Sequence, residues 1–221
     1  MTLFERHALG VRPTLDGQRF IGDVELAFSI IDSAANQWRS PRTPRSVKLS
    51  LEPTFAKLWF FERQAVLENE APSLRVELEI DPHNADIAGG QGDIEIRYGR
   101  GNWRDLEVKT FLPERLYPVA HPALAAQLTK QIRQRGEVAL LDLPLLHYSD
   151  VTGSRARFDA LDISLKPRAQ DRRFEDYTLV LAAAEAGLGG ALARTPLADA
   201  YITRSGLVRV SRHEVASPLR Y

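Results

Sequence analysis

The segment Val47–Pro72, VKLSLEPTFAKLWFFERQAVLENEAP, joins two patterns of apolar residues that are typical of different secondary structures. Up to Leu51 apolar and polar residues alternate, which predicts a strand, and from Thr54 the apolar residues recur at the spacing of a one-sided helix. Pro53 separates the two patterns, and Thr54 can cap the helix. The first amides of such a helix point past the carboxyl end of a strand, where open α/β sheets bind ligands. We therefore interpret this corner as half of a small-molecule pocket.

The composition is that of an ordinary soluble globular protein. The chain has 221 residues, of which 44% are hydrophobic and 26% charged, with 29 basic and 29 acidic side chains. The overall charge therefore favours neither nucleic acid nor a membrane as a partner. Cysteine is absent, which excludes disulfides and thiolate metal sites. No apolar run has the length of a signal peptide or a membrane span, so we expect a cytoplasmic protein.

Before the corner, the sequence predicts two short strands and a long helix. Alternation over Leu3–Pro13 indicates strands around a turn, and Thr14 can cap a helix that runs to about Trp38 and is roughly 36 Å long. Apolar residues form a heptad seam along it: Phe20, Val24, Ala27, Ile31, Ala34 and Trp38. The seam could lie on its own domain. Because breaker-rich residues 40–44 follow the helix, we favour a partner helix from a second copy, with on the order of 10 kcal/mol from full burial.

After the corner, strand and helix patterns alternate to the end of the chain. The helices are predicted at residues 82–90, 121–128, 157–161, 177–186 and 196–202. This alternation predicts an α/β fold of βα units with a mainly parallel sheet. An extended link near residues 113–118 divides the units into two halves.

Ordered blocks of sequence resemble one protein family. The blocks are LFER, VRPTLDG, LSLEPTFAKLW, GDIEIRYGRGNW, PERLYPVAHPAL, LLHYSD and YTLVLAAAEAGLGGALA. Their order and spacing over residues 3–219 are similar to those of LysR-type transcriptional regulators, and in particular to the subgroup typified by the glycine-cleavage regulator. The resemblance implies a two-lobed, periplasmic-binding-protein-like effector domain preceded by a wing remnant and a long linker helix.

The resemblance also implies boundaries and partners. It places the remnant of a winged helix-turn-helix at 1–13, the dimerising linker helix at 14–40, the first lobe at 45–115, the second lobe at 116–210, and the start of a return to the first lobe at 211–221. It implies a small-molecule effector, which we expect to be anionic, in the cleft between the lobes. It further implies a homodimer or homotetramer.

The sequence departs from the family pattern at both ends. Compared with that pattern, we expect a regulator trimmed of the helices that precede the wing and of the segment that completes the first lobe, and we expect DNA binding only where the full helix-turn-helix is present. A truncated module that binds a solute without binding DNA, or a dominant-negative dimer partner of an intact regulator, stays the alternative. On the wing, Arg6 and Arg12 would contact the DNA backbone, which orients a protein without selecting sequence.

Candidate effector contacts in the first half lie where predicted strands end. Thr54 and Phe55 begin the helix after the central corner, where a hydroxyl and free amides could meet an anion, although capping alone would explain the threonine. Arg97 and Tyr98 follow another strand at the same edge. Arg97 could hold a carboxylate through two parallel hydrogen bonds, or could pair with a carboxylate of its own strand.

The second half offers a matching set of candidate contacts. His147 and Tyr148 end the LPLLHYS strand, and Asp176 and Tyr177 open the next predicted helix. Structural explanations stay open here as well. A histidine at a strand end is often part of the packing, and the role of N-cap would account for Asp176.

The sequence lacks the patterns of nucleotide, metal and catalytic sites. Residues 89–92 have no Lys-Ser/Thr of a phosphate loop, and the glycines of 187–190 leave a helix, the reverse of a dinucleotide fingerprint. The five histidines are scattered without metal-ligand spacing, and no serine lies in a G-x-S-x-G motif. We therefore predict a protein that is not an enzyme and that uses no cofactor or metal.

Overall fold

Two short strands and a long helix form the amino-terminal part of the molecule. The structure, a computed structural model, describes residues 2–7, 10–37, 45–81, 93–101, 103, 106–149 and 151–221. Strands β1 (Phe4–His7) and β2 (Gly10–Pro13) pair antiparallel, and helix α1 (Leu15–Gln37) follows. These elements confirm the predicted strand pair and helix. Trp38 and the predicted helix at 82–90 lie outside the described residues.

Thr14 determines where α1 begins. The Gly17 amide donates to Thr14 Oγ1 at 3.0 Å, and the same hydroxyl donates to the carbonyl oxygen of Thr2 at 2.7 Å. This bond confirms the predicted cap. A Cβ added to the buried Gly17 would lie 1.9 Å from the carbonyl oxygen of Leu3, so the close contact between the strand pair and the helix requires glycine.

A parallel sheet of three strands forms the first lobe. Its order is β4–β3–β5, with β3 at Arg45–Leu51, β4 at Leu74–Ile80 and β5 at Ile94–Ile96. After β3 the chain turns into one long helical segment, formed by α2 (Pro53–Phe55), a π-helical turn (Ala56–Phe60) and α3 (Phe61–Glu70).

The central corner is confirmed, but its cap differs from the prediction. Glu52 occupies the N-cap position without a side-chain bond to the helix, and Pro53 is the first helical residue. The prediction that Thr54 caps this helix was therefore wrong. Proline suits the first helical position because its missing N–H would have no partner there, which places the cap before the proline.

The second lobe contains a mixed sheet, whereas the sequence predicted a mainly parallel one. Its order is β10–β6–β9–β7–β8, with β11 also paired to β6. The strands are β6 (Arg115–Ala120), β7 (Leu145–Tyr148), β8 (Arg172–Phe174), β9 (Gly190–Thr195), β10 (Val208–Arg209) and β11 (Val215–Ala216). β7 is parallel to β8 and β9, but β6 is antiparallel to β9, β10 and β11. Alternation of helix and strand does not determine this direction, because β6 is entered from the first lobe and not through a βα crossover.

Helices flank this sheet. They are α4 (Pro122–Arg135), a 3₁₀ helix (Glu137–Asp142), α5 (Thr152–Asp159), α6 (Tyr177–Glu185) and α7 (Asp199–Ser205). The sequence predicts a helix at residues 157–161, and the structure confirms a helix here but not its bounds, because a charged side chain occupies a core position. Arg157 is fully buried and donates to Glu137 Oε2 at 2.5 Å, so the apolar periodicity of this helix is interrupted.

The two lobes share one buried apolar cluster. It includes Leu51 and Phe55 from the first lobe and Leu181 and Leu197 from the second. The end of the chain also lies against the first lobe, because the Phe111 amide donates to the carbonyl oxygen of Tyr221 at 3.2 Å. Gly99 and Arg220 form an antiparallel bridge beside this bond.

Candidate functional site

A small cavity of about 50 Å³ lies where the ends of several strands meet. Tyr98, which follows β5 of the first lobe, faces it together with His147 and Tyr148 at the carboxyl end of β7. Tyr177 at the start of α6 and Arg194 on β9 also line it. The cavity therefore combines aromatic rings with a cation, at the edge where the sheets of the two lobes approach each other.

Arg194 is a buried cation held by one carboxylate. Its side chain is 4% exposed and donates from Nε to Glu114 Oε2 at 2.9 Å and from Nη2 to Glu114 Oε1 at 3.2 Å. Its Nη1 has no hydrogen-bond partner among the described residues. A buried donor without a partner costs roughly 1 to 3 kcal/mol, so this atom is a candidate ligand contact.

Four tyrosine rings surround the same guanidinium. Its central carbon lies 3.6 Å from the ring centroid of Tyr98 and 4.8 Å from that of Tyr177. The rings of Tyr221 and Tyr148 follow at 5.5 and 5.6 Å. The negative faces of these rings favour a positive charge, so the ring cluster helps to hold the cation in a site shielded from water.

Glu52 accepts hydrogen bonds from two of these tyrosines, one of which belongs to the second lobe. Tyr148 donates to Glu52 Oε1 at 2.9 Å, and Tyr221 donates to Glu52 Oε2 at 2.7 Å. Because Glu52 lies at the N-cap position of the central helix of the first lobe and Tyr148 belongs to the second, the bond between them joins the two lobes.

Burial sets the protonation of the phenols in this cluster. It raises the pKa of Tyr98 to about 12, and it raises the pKa of Tyr148, Tyr177 and Tyr221 as well. Burial also raises the pKa of Glu114, although the Arg194 cation opposes this change. The phenols therefore stay protonated at neutral pH and act as hydrogen-bond donors.

His147 forms part of the cavity wall and is itself 3% exposed. Its Nδ1 lies 2.9 Å from Ser154 Oγ, and its Nε2 lies 3.7 Å from Asp171 Oδ2. Burial lowers the pKa of His147, with Asp171 opposing and the Arg173 and Arg168 cations assisting. The ring is therefore neutral near pH 7 and is oriented by a hydroxyl on one side and a carboxylate on the other.

Comparison with known proteins identifies the family to which this chain belongs. A family model described as the LysR substrate binding domain matches residues 42–221. The chain belongs to the LysR family of transcriptional regulators. It is 28% identical over 208 residues to the glycine cleavage system transcriptional activator of Escherichia coli K12, covering 94% of this chain and 67% of that protein. It is 29% identical to the transcriptional regulator TrpI of Pseudomonas aeruginosa, covering 89% and 67%.

Solved structures of LysR proteins share the fold. The effector domain of AmpR from Pseudomonas aeruginosa aligns with a TM-score of 0.70 at 24% identity, covering 80% of this chain and 83% of that one. The full-length Vibrio cholerae virulence activator AphB aligns with a TM-score of 0.63 at 18% identity, covering 100% and 75%. At these identities the likeness concerns the fold alone, and it confirms the predicted two-lobed α/β architecture.

The structure of the LysR chain brings together half of the predicted effector contacts. Tyr98, His147, Tyr148 and Tyr177 all line the cavity. Asp176 is next to this group, where its side chain accepts from the Thr178 amide at 2.7 Å as the N-cap of α6. The capping role explains Asp176 on structural grounds, and its contact with an effector stays a prediction.

The other predicted contacts do not line this cavity. Thr54 and Phe55 are 1% and 0% exposed, and the Phe55 ring packs 4.9 Å from that of Tyr221. Arg97 binds within the first lobe, where its Nη2 donates to Ser50 Oγ at 2.7 Å and its Nε lies 3.3 Å from Glu95 Oε2. Arg97 is therefore paired with Glu95, a carboxylate of the strand before it, as the structural alternative predicted.

Sequence reasoning missed Glu52, Glu114, Arg194 and Tyr221. Arg194 carries a signal that could have been read, because it is the one charged residue of the buried strand β9, GALART. A lone arginine in a buried strand needs a carboxylate partner. Its partner Glu114 is distant in sequence and lies in the link between the lobes, so no local pattern identifies it.

The two arginines of the wing lie on exposed strands. Arg6 is opposite Val11, and Arg12 is opposite Glu5 in the antiparallel register. Because directly opposed residues share a face and neighbours along a strand alternate, Arg6 and Arg12 point to opposite faces. Their contact with DNA stays a prediction, but one flat surface cannot meet both side chains.

Two further properties concern the described residues. None of the described helices has the length and apolar character that crossing a bilayer requires. The described part of the chain also contains no group of three or more His, Asp or Glu side chains placed to hold a metal ion.

Proposed function

We propose that this LysR effector domain binds a small anionic metabolite between its lobes. The domain would act as a sensor and have no catalytic activity. The observation that carries the proposal is the buried guanidinium of Arg194, a residue of the cavity wall whose Nη1 has no hydrogen-bond partner among the described residues. A carboxylate placed there would receive a charge-assisted hydrogen bond, which is stronger than one between neutral groups. The protonated phenol of Tyr98 lines the same cavity, whereas the O–H of Tyr148 is donated to Glu52 in this structure.

Binding would be coupled to the angle between the lobes. A cavity of about 50 Å³ holds only a few water molecules, and Arg194 and Tyr177 are buried. A larger metabolite must therefore separate the lobes, which breaks the bond from Tyr148 to Glu52 and the 3.5 Å contact of Lys57 Nζ with Thr178 Oγ1. Coupling free energies between sites are typically about 1 to 3 kcal/mol, and the linker helix would transmit the change to a DNA-binding domain where one is present.

We also propose that α1 joins protomers into a homodimer or homotetramer. Two large side chains of the predicted seam are exposed in the single chain, Phe20 (47%) and Ile31 (60%), and Phe28 (64%) is exposed beside the seam. Water contact on such a surface is unfavourable, which supports a partner helix. Replacing Ile31 by glutamate should shift sedimentation toward the monomer. Asp23→Glu, which keeps the charge of an exposed residue on the same helix, is the control and should not.

Calorimetry tests the ligand site. The purified chain is titrated with amino acids and with mono- and dicarboxylates, alongside Arg194→Lys, which keeps the charge but loses the planar fork. We expect at least about tenfold weaker binding in this variant, equivalent to about 1.4 kcal/mol. Arg204→Lys, at an exposed position (64%), is the matched control and should bind as the unaltered chain does. Equal affinity in all three folded proteins would refute the site.

The regulatory role needs a separate measurement, because it concerns DNA. A gel-shift experiment with the operator adjoining the gene should show selective binding when the full helix-turn-helix is present, and the effector should alter it. Effector binding by a protein that selects no operator would support the alternative, a solute-binding module without DNA binding. We place the protein in the cytoplasm, since the relatives it matches are bacterial transcriptional regulators.

A further inference from the structure

A second cavity, of about 110 Å³, lies within the second lobe. Its wall carries four basic side chains: Arg155 from α5, Lys166 and Arg168 from the segment after α5, and Arg173 from β8. Among the described residues, one carboxylate, Asp171, and the ring of His147 complete the polar lining. By the same measure, this cavity is about twice as large as the first.

The single carboxylate is already neutralised inside the wall. Arg168 donates from Nε to Asp171 Oδ2 at 3.0 Å and from Nη2 to Asp171 Oδ1 at 2.5 Å. The same guanidinium also donates to the carbonyl oxygens of Leu141 and Leu143. These bonds and the Leu145 amide, which donates to Asp171 Oδ1 at 2.9 Å, lower the pKa of Asp171 although burial alone would raise it. This pair therefore forms a rigid, electrically balanced part of the wall.

The other three cations have no counterion among the residues that the structure describes. Arg155, Lys166 and Arg173 form no ion pair with any residue in the described part of the chain. They come from three separate segments, are all exposed, and line the same concavity, which therefore carries an excess of positive charge. A multivalent anion between them would balance that excess and accept hydrogen bonds from guanidinium donors.

The base of the cavity is buried and ordered by hydrogen bonds. His147 is 3% exposed, and its Nε2 faces Asp171 at 3.7 Å while its Nδ1 bonds with Ser154. Ser154 lines the first cavity, and His147 lines both. The two cavities therefore share one wall but present different cations, Arg194 in the first and Arg155 with Arg173 in the second.

We propose that the second cavity is a distinct site for a small multivalent oxoanion, of the class of phosphate groups and polycarboxylates. The concavity favours a small anion over the backbone of a nucleic-acid duplex, because a duplex presents its phosphates on a convex surface. The site is independent of the proposed interlobe effector site, since Arg194 takes no part in it.

Inorganic phosphate and citrate serve as the probes. Calorimetry of the full chain at constant ionic strength, balanced with chloride, should show saturable binding, and the stronger of the two probes indicates whether phosphoryl or carboxylate groups are preferred. The double variant Arg155→Gln with Arg173→Gln should weaken that binding by about tenfold or more. The same loss of charge at exposed positions of α4, Lys130→Gln with Arg133→Gln, is the matched control and should change affinity by less than about twofold.

Several results would overturn the proposal. They are the absence of saturation with both probes, equal losses in the two double variants, or tighter binding of duplex DNA than of either probe through the same cations. Arg194→Lys separates this site from the interlobe site, because it should leave phosphate and citrate binding unchanged. A fall in thermal midpoint that is equal in both double variants would reflect lost surface charge, so each variant is compared with and without the probe.

Discussion

The buried pair of Glu114 and Arg194 offers the sharpest test of how this site is held together. Both side chains are almost inaccessible, at 0% and 4% exposure, and two hydrogen bonds of 2.9 and 3.2 Å join them. Replacing Glu114 by alanine removes both acceptors and leaves the cation among the tyrosines without a carboxylate. The guanidinium cannot lose its proton to escape this penalty, since its pKa lies above 12 in solution.

The size of the loss follows from these contacts. Each hydrogen bond to a charged group contributes about 1.5 to 3 kcal/mol, so two contribute about 3 to 6 kcal/mol. Breaking a buried ion pair by removing one partner typically costs about 3 to 5 kcal/mol, which agrees. At about 2 to 4 °C per kcal/mol for a chain of this size, Glu114→Ala should lower the thermal midpoint by roughly 6 to 20 °C.

A double variant separates pairing from burial. Replacing both residues with apolar side chains, Glu114→Leu with Arg194→Met, removes the pair without leaving a charge, so we expect a stability near that of the unaltered chain. The control is Asp142→Ala, which breaks an ion pair on the surface. In that pair Arg135 Nη1 lies 2.5 Å from Asp142 Oδ2, and the two side chains are 51% and 37% exposed. That change should cost less than about 1 kcal/mol. Urea unfolding followed by circular dichroism measures all four proteins, and equal costs for Glu114→Ala and Asp142→Ala would refute the reasoning.

Three further predictions concern titration and backbone packing. Burial lowers the pKa of His147, so as the pH falls below about 6.5 the histidine takes up a proton in the unfolded chain before it does in the folded one. The free energy of unfolding should then decrease by up to about 1.4 kcal/mol per pH unit. His147→Asn should remove that part of the slope in urea unfolding between pH 8 and 5. Gly189→Ala would place a Cβ 2.3 Å from the carbonyl oxygen of Pro144, so we expect a cost of about 1 to 3 kcal/mol in thermal unfolding; an unchanged midpoint would contradict it. Gly22→Ala should instead stabilise α1 by about 0.5 to 1 kcal/mol, because no atom lies within 4 Å of the added Cβ. Gly17→Ala should destabilise the same helix, and the loss of helical ellipticity on heating distinguishes the two variants.

The lobes differ in how well their sheets could be predicted from sequence. In the first lobe, β3 and the helix after it are adjacent in sequence, and the change of period at Pro53 is a local property. In the second lobe the direction of β6 depends on where the chain arrives from the first lobe, which no local pattern records. The position of α5 was hidden for a related reason, since buried Arg157 is paired with Glu137, 20 residues earlier.

The candidate site shows the same division. Tyr98, His147, Tyr148 and Tyr177 were predicted from their places at element ends, because such ends meet at one edge of a sheet. Thr54 and Phe55 were selected by the same rule, yet both are buried and neither lines the cavity, and the ring of Tyr221 packs against that of Phe55. A contact between the last residue of the chain and the central corner has no signature in either segment.

By itself, the sequence determined the strand-to-helix corner, the capped amino-terminal helix, the α/β class and the LysR family, because these depend on residue spacing and ordered blocks within short reach. Only the tertiary structure decided which charges are paired and which rings enclose them. Glu114 finds Arg194 across 80 residues and Glu52 finds Tyr221 across 169. Burial then gives these bonds their strength, since a charge withdrawn from water is stable only beside its partner.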